Sequence, residues 1–162
     1  MKDMKLVVQR VKKASVSVDE KVLSHISKGF LVLVGITGAD TKNEANFLAE
    51  KLVKLRIMAR LPSPEGEANG GQDDGDKKMN FSIKDVGGKI LIVSQFTLYA
   101  DTTGGNRPSF INAARPEIAE PLYDYFVEKV KSLGIKVETG KFGATMKIDA
   151  ELDGPVTIII EQ

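Results

Sequence analysis

Apolar and polar positions recur at two different periods along the chain, and the switches between those periods mark out its elements. Residues 5–11 are dense in apolar side chains, as a strand buried on both faces is, whereas Ala14, Val16 and Val18 alternate with Ser15, Ser17 and Asp19 like a half-buried strand. Residues 22–28 complete a hairpin with them. Residues 30–35 form a continuous apolar run of strand length that stops at the turn Gly38-Ala39-Asp40. Thr41 followed by Glu44 is a capping-box pattern, and Ala45, Leu48, Ala49, Leu52, Leu55 and Ala59 recur at helical spacing through Arg60, which predicts a first helix with one face on a sheet. Strand character returns at residues 89–93 and carries on into residues 94–99, after which residues 101–108 read as loop around Gly104-Gly105. A second helix begins at Pro116 or Glu117, buries Leu122, Tyr125, Phe126, Val130 and Leu133, and ends at Gly134. Pro121 is its misfit, since an interior proline removes a backbone hydrogen bond, and it predicts a late start or a kink. Residues 135–139 and 145–152 are strands, the latter alternating Met146, Ile148, Ala150 and Leu152 against Lys147, Asp149 and Glu151, with Leu152 extending the buried face. Residues 156–161 close the chain as a strand.

Strands grouped in hairpins with two long helices predict an α+β fold: curved, antiparallel-rich, barrel-like sheets covered by those helices. At 162 residues and 42% hydrophobic content, residues 1–162 form one domain. Residues 61–78 hold Pro62, Pro64, four glycines and a cluster of acids, with almost nothing to bury, and read as a flexible surface loop. The apolar stretch after Lys5 is interrupted by Gln9 and Arg10, too short for a signal segment or a membrane span, so no membrane association and a cytoplasmic location are expected. A formal charge of +1 argues against coating long nucleic acid through a broad basic field, while leaving room for a small contact at an RNA end.

The chemistry is bounded by what is missing. There is no cysteine and one histidine, His25, placed mid-strand and read as structural or surface. A Ser-His-Asp or Cys-His arrangement has no parts to draw on, a Cys/His zinc site cannot be assembled, and neither a metal nor a cofactor is expected. Thr97 is the hydroxyl that a covalent mechanism would choose, but no base is evident beside it; it is a nucleophile, a pocket-lining residue or a plain strand residue. In an ideal strand Ser94, Phe96 and Leu98 face one way and Gln95, Thr97 and Tyr99 the other, which leaves the backbone of the segment as its functional part. Gly154-Pro155 places rigid main chain beside the last strand, a tight turn in its plain reading.

Several segments together change these readings. Val8-Gln9-Arg10-Val11 followed by Ala14-Ser15-Val16, Leu31-Val32-Leu33-Val34-Gly35, Ser94-Gln95-Phe96-Thr97-Leu98, Arg107-Pro108-Ser109-Phe110, Phe142-Gly143-Ala144 with Met146, and Asp153-Gly154-Pro155-Val156-Thr157 resemble, in order and spacing, the D-aminoacyl-tRNA deacylases. Two departures stand out: Leu152 where the family reads Asn, and a longer, more polar stretch at 61–78. The resemblance implies hydrolysis of the ester joining a D-amino acid, or glycine mischarged on tRNA-Ala, to the terminal adenosine of tRNA, with the RNA's own 2′-hydroxyl assisting and no cofactor. It implies a homodimer whose partner is the acceptor end of aminoacyl-tRNA. Ser94, Gln95, Phe96 and Thr97 would form the catalytic pocket and its oxyanion donors. Phe142, Gly143 and Met146 would hold the adenosine. Gly154 and Pro155, joined by a cis bond, would enter the partner's pocket and exclude L-substituents by their carbonyls, with Arg10 supporting that loop. Lys12, Lys13, Arg107, Lys141 and Lys147 are the candidate phosphate contacts. The alternative is a non-catalytic module on the same fold that binds the tRNA acceptor end, motivated by Leu152.

Overall fold

The computed structural model describes residues 4–59 and 79–162; the loop expected at 61–78 lies outside the described residues. In chain order it has β1 (Lys5–Val18), β2 (Lys21–Ile26), β3 (Gly29–Gly35), α1 (Lys42–Lys54), β4 (Lys89–Ser94), a 3-10 turn (Phe96–Tyr99), α2 (Pro116–Ser132), β5 (Lys136–Thr139) and β6 (Lys147–Glu161). β1 organises the sheet. Along one edge it pairs antiparallel with β3 through its first half and with β2 through its second; along the other it pairs antiparallel with β6. β3, β4 and β5 follow in parallel, and parallel neighbours need long crossovers, which α1 and α2 supply. The order β2-β1-β3-β4-β5 curls until its ends meet, where the Ser24 hydroxyl of β2 donates to the Thr139 carbonyl of β5 at 2.7 Å. The α+β, barrel-like fold with two covering helices therefore holds, its antiparallel pairing gathered around β1.

The sheet is buried on both faces, which explains the unbroken apolar runs of β3 and β4. Phe30, Val32, Val34, Ile90 and Ile92 pack toward Leu48, Leu52, Phe126 and Val130 of the helices, while Leu31, Leu91 and Val93 join Val11, Ala14 and Val16 inside the barrel. Each fully buried side chain of this size contributes about 1.5–3 kcal/mol. Thr41 caps α1 as expected: its amide donates to the Glu44 carboxylate at 2.6 Å and its hydroxyl accepts from Asn43 N–H at 3.2 Å.

Four expectations are corrected. α1 ends at Lys54 rather than continuing to Arg60, because Ile57 and Met58 are buried in an extended segment whose Met58 exchanges hydrogen bonds of 2.9 and 3.1 Å with Phe81. α2 starts at Pro116, as expected, and continues through Pro121; both Pro121 and Glu117 are exposed, so the carbonyl that loses its partner faces water. Residues 145–152 and 156–161 belong to one strand, β6, which bulges between its two halves: Gln9 lies opposite Thr157 and Val11 opposite Leu152. Leu152, expected to be buried, is 43% exposed, because β6 pairs only with β1 among the described strands and its outward face has nothing on it. The fourth correction concerns residues 94–99 and belongs to the site. No helix among the described residues is long and apolar enough to cross a membrane.

Candidate active site

β4 stops pairing where β3 runs out. Ser94 lies opposite Val34, the Gln95 amide makes one more bond to the Val34 carbonyl at 2.8 Å, and the chain then leaves the sheet. Strand alternation therefore does not extend through residues 94–99, as the sequence reading supposed; the chain winds into a 3-10 turn at Phe96–Tyr99. Gly35 permits this turn to sit against β3, since a Cβ there would lie 2.8 Å from Tyr99 Cε2. The first bond of the turn is from Leu98 N–H to the Gln95 carbonyl, which leaves the amides of Phe96 and Thr97 without an acceptor inside it. The Gln95 side-chain amide donates to the Thr97 hydroxyl. An amide is no base, so this contact orients the hydroxyl and does not activate it.

The second part of the site follows β5. Gly140 N–H bonds to the Ile92 carbonyl at 3.2 Å, and the chain turns so that Phe142 lies 5.8 Å, centroid to centroid, from the ring of Tyr123 on α2. Tyr123 is buried and donates to the same Ile92 carbonyl at 2.8 Å, and burial raises its phenol above the ordinary range, so it serves as a fixed neutral donor.

Between these parts lies a cavity of about 580 Å³. Ser94, Gln95 and Phe96 line one side, Phe142, Gly143 and Met146 another, with Val34, Ile36 and Val93 at its base. Two segments nearly fifty residues apart in the chain thus line one space. A third wall was not anticipated: Phe110, Ala113, Ala114, Arg115, Pro116 and Ala119. Phe110 meets Phe96 edge to face at 5.2 Å, and Ala114 N–H bonds to the Ile36 carbonyl at 2.9 Å. Small alanines carry no chemical signal in a sequence; the one available cue was Arg115 standing before a proline at the first position of a helix.

Thr97, Arg10, Gly154 and Pro155 do not line this cavity within their own chain. Gly154 and Pro155 lie exposed on the bulge of β6, and the bond between them is cis. Arg10 is more than a surface ion pair: Nε donates to the Asp153 carbonyl at 3.1 Å, Nη1 donates to the Ile57 carbonyl at 2.8 Å, and the Asp153 carboxylate lies 3.4 Å from Nε. Gly154 has φ +126°, and a Cβ there would stand 3.0 Å from Val156 and 3.2 Å from Arg10. His25 is exposed on β2. Lys12, Lys13, Arg107, Lys141 and Lys147 are all exposed, and Lys13 and Lys147 have carboxylates of Glu151 at 3.8 Å and Asp149 at 3.4 Å.

The model of the D-Tyr-tRNA(Tyr) deacylase family matches residues 7–161. The D-aminoacyl-tRNA deacylase of Limosilactobacillus reuteri is 50% identical over 159 residues, 98% of this chain and 100% of that protein. That of an Exiguobacterium species is 47% identical over 159 residues, 98% of this chain and 99% of that one. Among solved structures, a c-Myc DNA Unwinding Element Binding Protein superposes with a TM-score of 0.84 at 36% identity, covering 98% of this chain and 99% of its own. A probable eukaryotic D-amino acid tRNA deacylase superposes at 0.80 with 18% identity, covering 99% and 100%, and speaks for the fold alone. These matches define an ester hydrolase, and the chain belongs to the D-aminoacyl-tRNA deacylase family.

Proposed function

We propose that this enzyme clears D-aminoacyl-tRNA, and glycyl-tRNA mischarged on tRNA-Ala, while leaving L-aminoacyl-tRNA intact, and that it does so as a homodimer. The observation that carries the reading is the convergence of residues 94–96 and 142–146 on one cavity in a chain without cysteine or a histidine in the site. In this reading the terminal adenosine stacks on Phe142 beside Gly143 and Met146, an interaction worth about 1–3 kcal/mol per base. The ester carbonyl meets the free amides of Phe96 and Thr97, and such a donor contributes roughly 2.7–4 kcal/mol to other acyl-transfer sites. Water adds to that carbonyl, the neighbouring ribose 2′-hydroxyl relays its proton, the bond from carbonyl carbon to ribose oxygen breaks, and the free amino acid and tRNA leave. Ser94, Gln95 and Thr97 shape and orient this pocket; none is a covalent nucleophile.

Chirality is assigned to main chain supplied by a second copy. The free edge of β6, with Leu152 and Ile159 exposed at 43% and 60%, supports a protein surface there. The carbonyls around Gly154 and Pro155, held from behind by Arg10, would face the substrate's α-carbon, where an L-substituent meets oxygen and a D-substituent or a hydrogen does not.

Incubation with D-tyrosyl-tRNA and L-tyrosyl-tRNA should deplete only the first, and equal cleavage of both would reject the proposal. Thr97→Ala should retain activity, whereas removing the terminal 2′-hydroxyl of the tRNA should abolish it; the reverse would establish covalent catalysis. A second reading, a binding module for the tRNA acceptor end, is favoured by Leu152 and by the binding function in the name of the 36% identical relative. It predicts tight tRNA binding with no turnover of either ester.

A further inference from the structure

The terminal nucleotide of an RNA is tied to the rest of its chain by one bond, the phosphodiester on its 5′ side. With the base and ribose ester held inside a cavity, that phosphate has to stand at the mouth, where the strand leaves. Most of the lining is apolar, and among the described residues one basic side chain belongs to it: Arg115. We propose that Arg115 is the contact for this 5′ phosphodiester, an inference that rests on the substrate assigned above.

Its placement follows from the helix. Arg115, Ala119 and Tyr123 are spaced by four residues along one face of α2 and its cap, and Tyr123 touches Phe142, the adenosine platform. Arg115 therefore stands about 12 Å outward from that contact, two turns along the same wall, with Ala119 between. A nucleoside monophosphate and an extended arginine together span such a distance. The side chain is free to do this work: Arg115 is exposed, makes no side-chain cap for α2, and forms no ion pair with any described residue. Glu117 and Glu120 lie on the same helix but at spacings of two and five, which do not place them on the face of Arg115. By contrast, Lys13 and Lys147, expected from sequence to contact phosphate, already have carboxylate neighbours. A guanidinium presents two parallel N–H donors to two phosphate oxygens, which a lysine cannot reproduce.

The test compares substrates that differ only in the phosphate. Equilibrium binding of adenosine and of 5′-AMP is measured for the wild type, Arg115→Gln and Arg115→Lys, and kcat/KM is measured for the D-tyrosyl, D-aspartyl and D-alanyl esters of adenosine and of 5′-AMP. The wild type should prefer the phosphate-bearing member of each pair by roughly tenfold at low salt, the size of one well-placed charged contact, with the advantage falling as salt rises. Arg115→Gln should collapse that preference and act through KM, and Arg115→Lys should restore part of it. Parallel losses with adenosine and AMP would make Arg115 structural and overturn the proposal. A loss confined to the D-aspartyl esters would also overturn it, moving the contact to the amino acid's own carboxylate. If no ester is hydrolysed, the assigned reaction fails while the AMP-against-adenosine comparison still decides the phosphate contact.

Discussion

The turn at Phe96–Tyr99 and the bulge at residues 153–156 are both stretches of fixed main chain beside a strand end, yet of the two only the turn, through Phe96, lines the cavity described above. The turn contributes Phe96 to a cavity walled by Phe142 on one side and by Phe110 and Ala113–Pro116 on another, and the amides of Phe96 and Thr97 have no acceptor within the turn. The bulge is fixed as firmly, with the Arg10 guanidinium donating to two carbonyls behind it, but Gly154 and Pro155 look outward to solvent. Within the bulge only Val156 packs against the core, so burial does not account for the order at Gly154 and Pro155. On the function proposed above, the difference teaches that the turn brings its chemistry to a cavity of its own chain, whereas the bulge takes part only if a second surface brings it to one.

The sharpest way to break that comparison is at Gly154. An alanine Cβ would press on Val156 and the Arg10 guanidinium at 3.0–3.2 Å, at a φ of +126° that an L-residue occupies at a cost of about 1–3 kcal/mol. Gly154→Ala should lower kcat/KM for D-tyrosyl-tRNA by more than about tenfold while thermal unfolding shifts by only a few degrees, roughly 2–4 °C per kcal/mol. Full turnover in a folded variant would place residues 153–156 outside any pocket. Next in size is the cavity's own platform. Phe142→Ala removes the proposed stacking face and its contact with Tyr123, and should raise KM about tenfold or more with kcat less affected. A loss confined to kcat would mean that Phe142 positions the ester rather than the base.

Arg10 gives a subtler contrast, because it acts on the bulge from behind. Arg10→Met keeps much of the stem and removes the donors to Asp153 and Ile57. Bonds from a charged donor contribute about 1.5–3 kcal/mol, so stability should fall by that order, and the loosened main chain should narrow the ratio of D- to L-ester cleavage several-fold. If discrimination stays intact after this loss of stability, rigidity at the bulge is not what reads the α-carbon.

How far these regions were legible in the sequence depended on the physics behind each signal. The capping box at Thr41, the apolar runs of β3 and β4 and the start of α2 all follow from local preference, and each stands where the pattern put it. The motifs at 94–97 and 142–146 were legible as a resemblance, and the meeting of residues 94–96 with 142–146 in one cavity needed the parallel crossovers to be built. Period-two reasoning failed at Phe96 because strand alternation holds only while a partner strand continues, and β3 ends at Gly35. It failed again at Leu152, where alternation counts faces but cannot say that among the described strands β6 pairs with β1 alone. Ala113, Ala114 and Ala119 were invisible as site residues because their contribution is to leave room.

The smallest expected effect tests whether the cavity wall really is supported from within the chain. Ala113 and Ala114 hang on Thr37 and Ile36, and the turn after them is fastened by Asp40, whose carboxylate accepts the Thr37 amide at 2.6 Å while only 8% exposed. Burial raises its pKa above 3.8, a direction that the Thr37 hydrogen bond opposes without reversing. A folded-state pKa above the unfolded one means that the native protein binds the extra proton. The stabilising contribution is therefore full below about pH 3.8 and is lost as pH rises through the raised value, so at neutral pH the cost of the buried charge is fully felt. Asp40→Asn keeps an acceptor for the Thr37 amide and removes the charge. Its unfolding temperature should equal or slightly exceed that of the wild type at pH 7, the difference shrinking toward pH 4, and turnover should persist because the wall stays in place. Asp40→Ala should lose both stability and, through the displaced Ala113–Ala114 wall, substrate affinity. If Asp40→Asn instead destabilised most at pH 7, the carboxylate's charge would be serving the turn, and the wall would depend on an ionic contact rather than on a neutral hydrogen-bonded one.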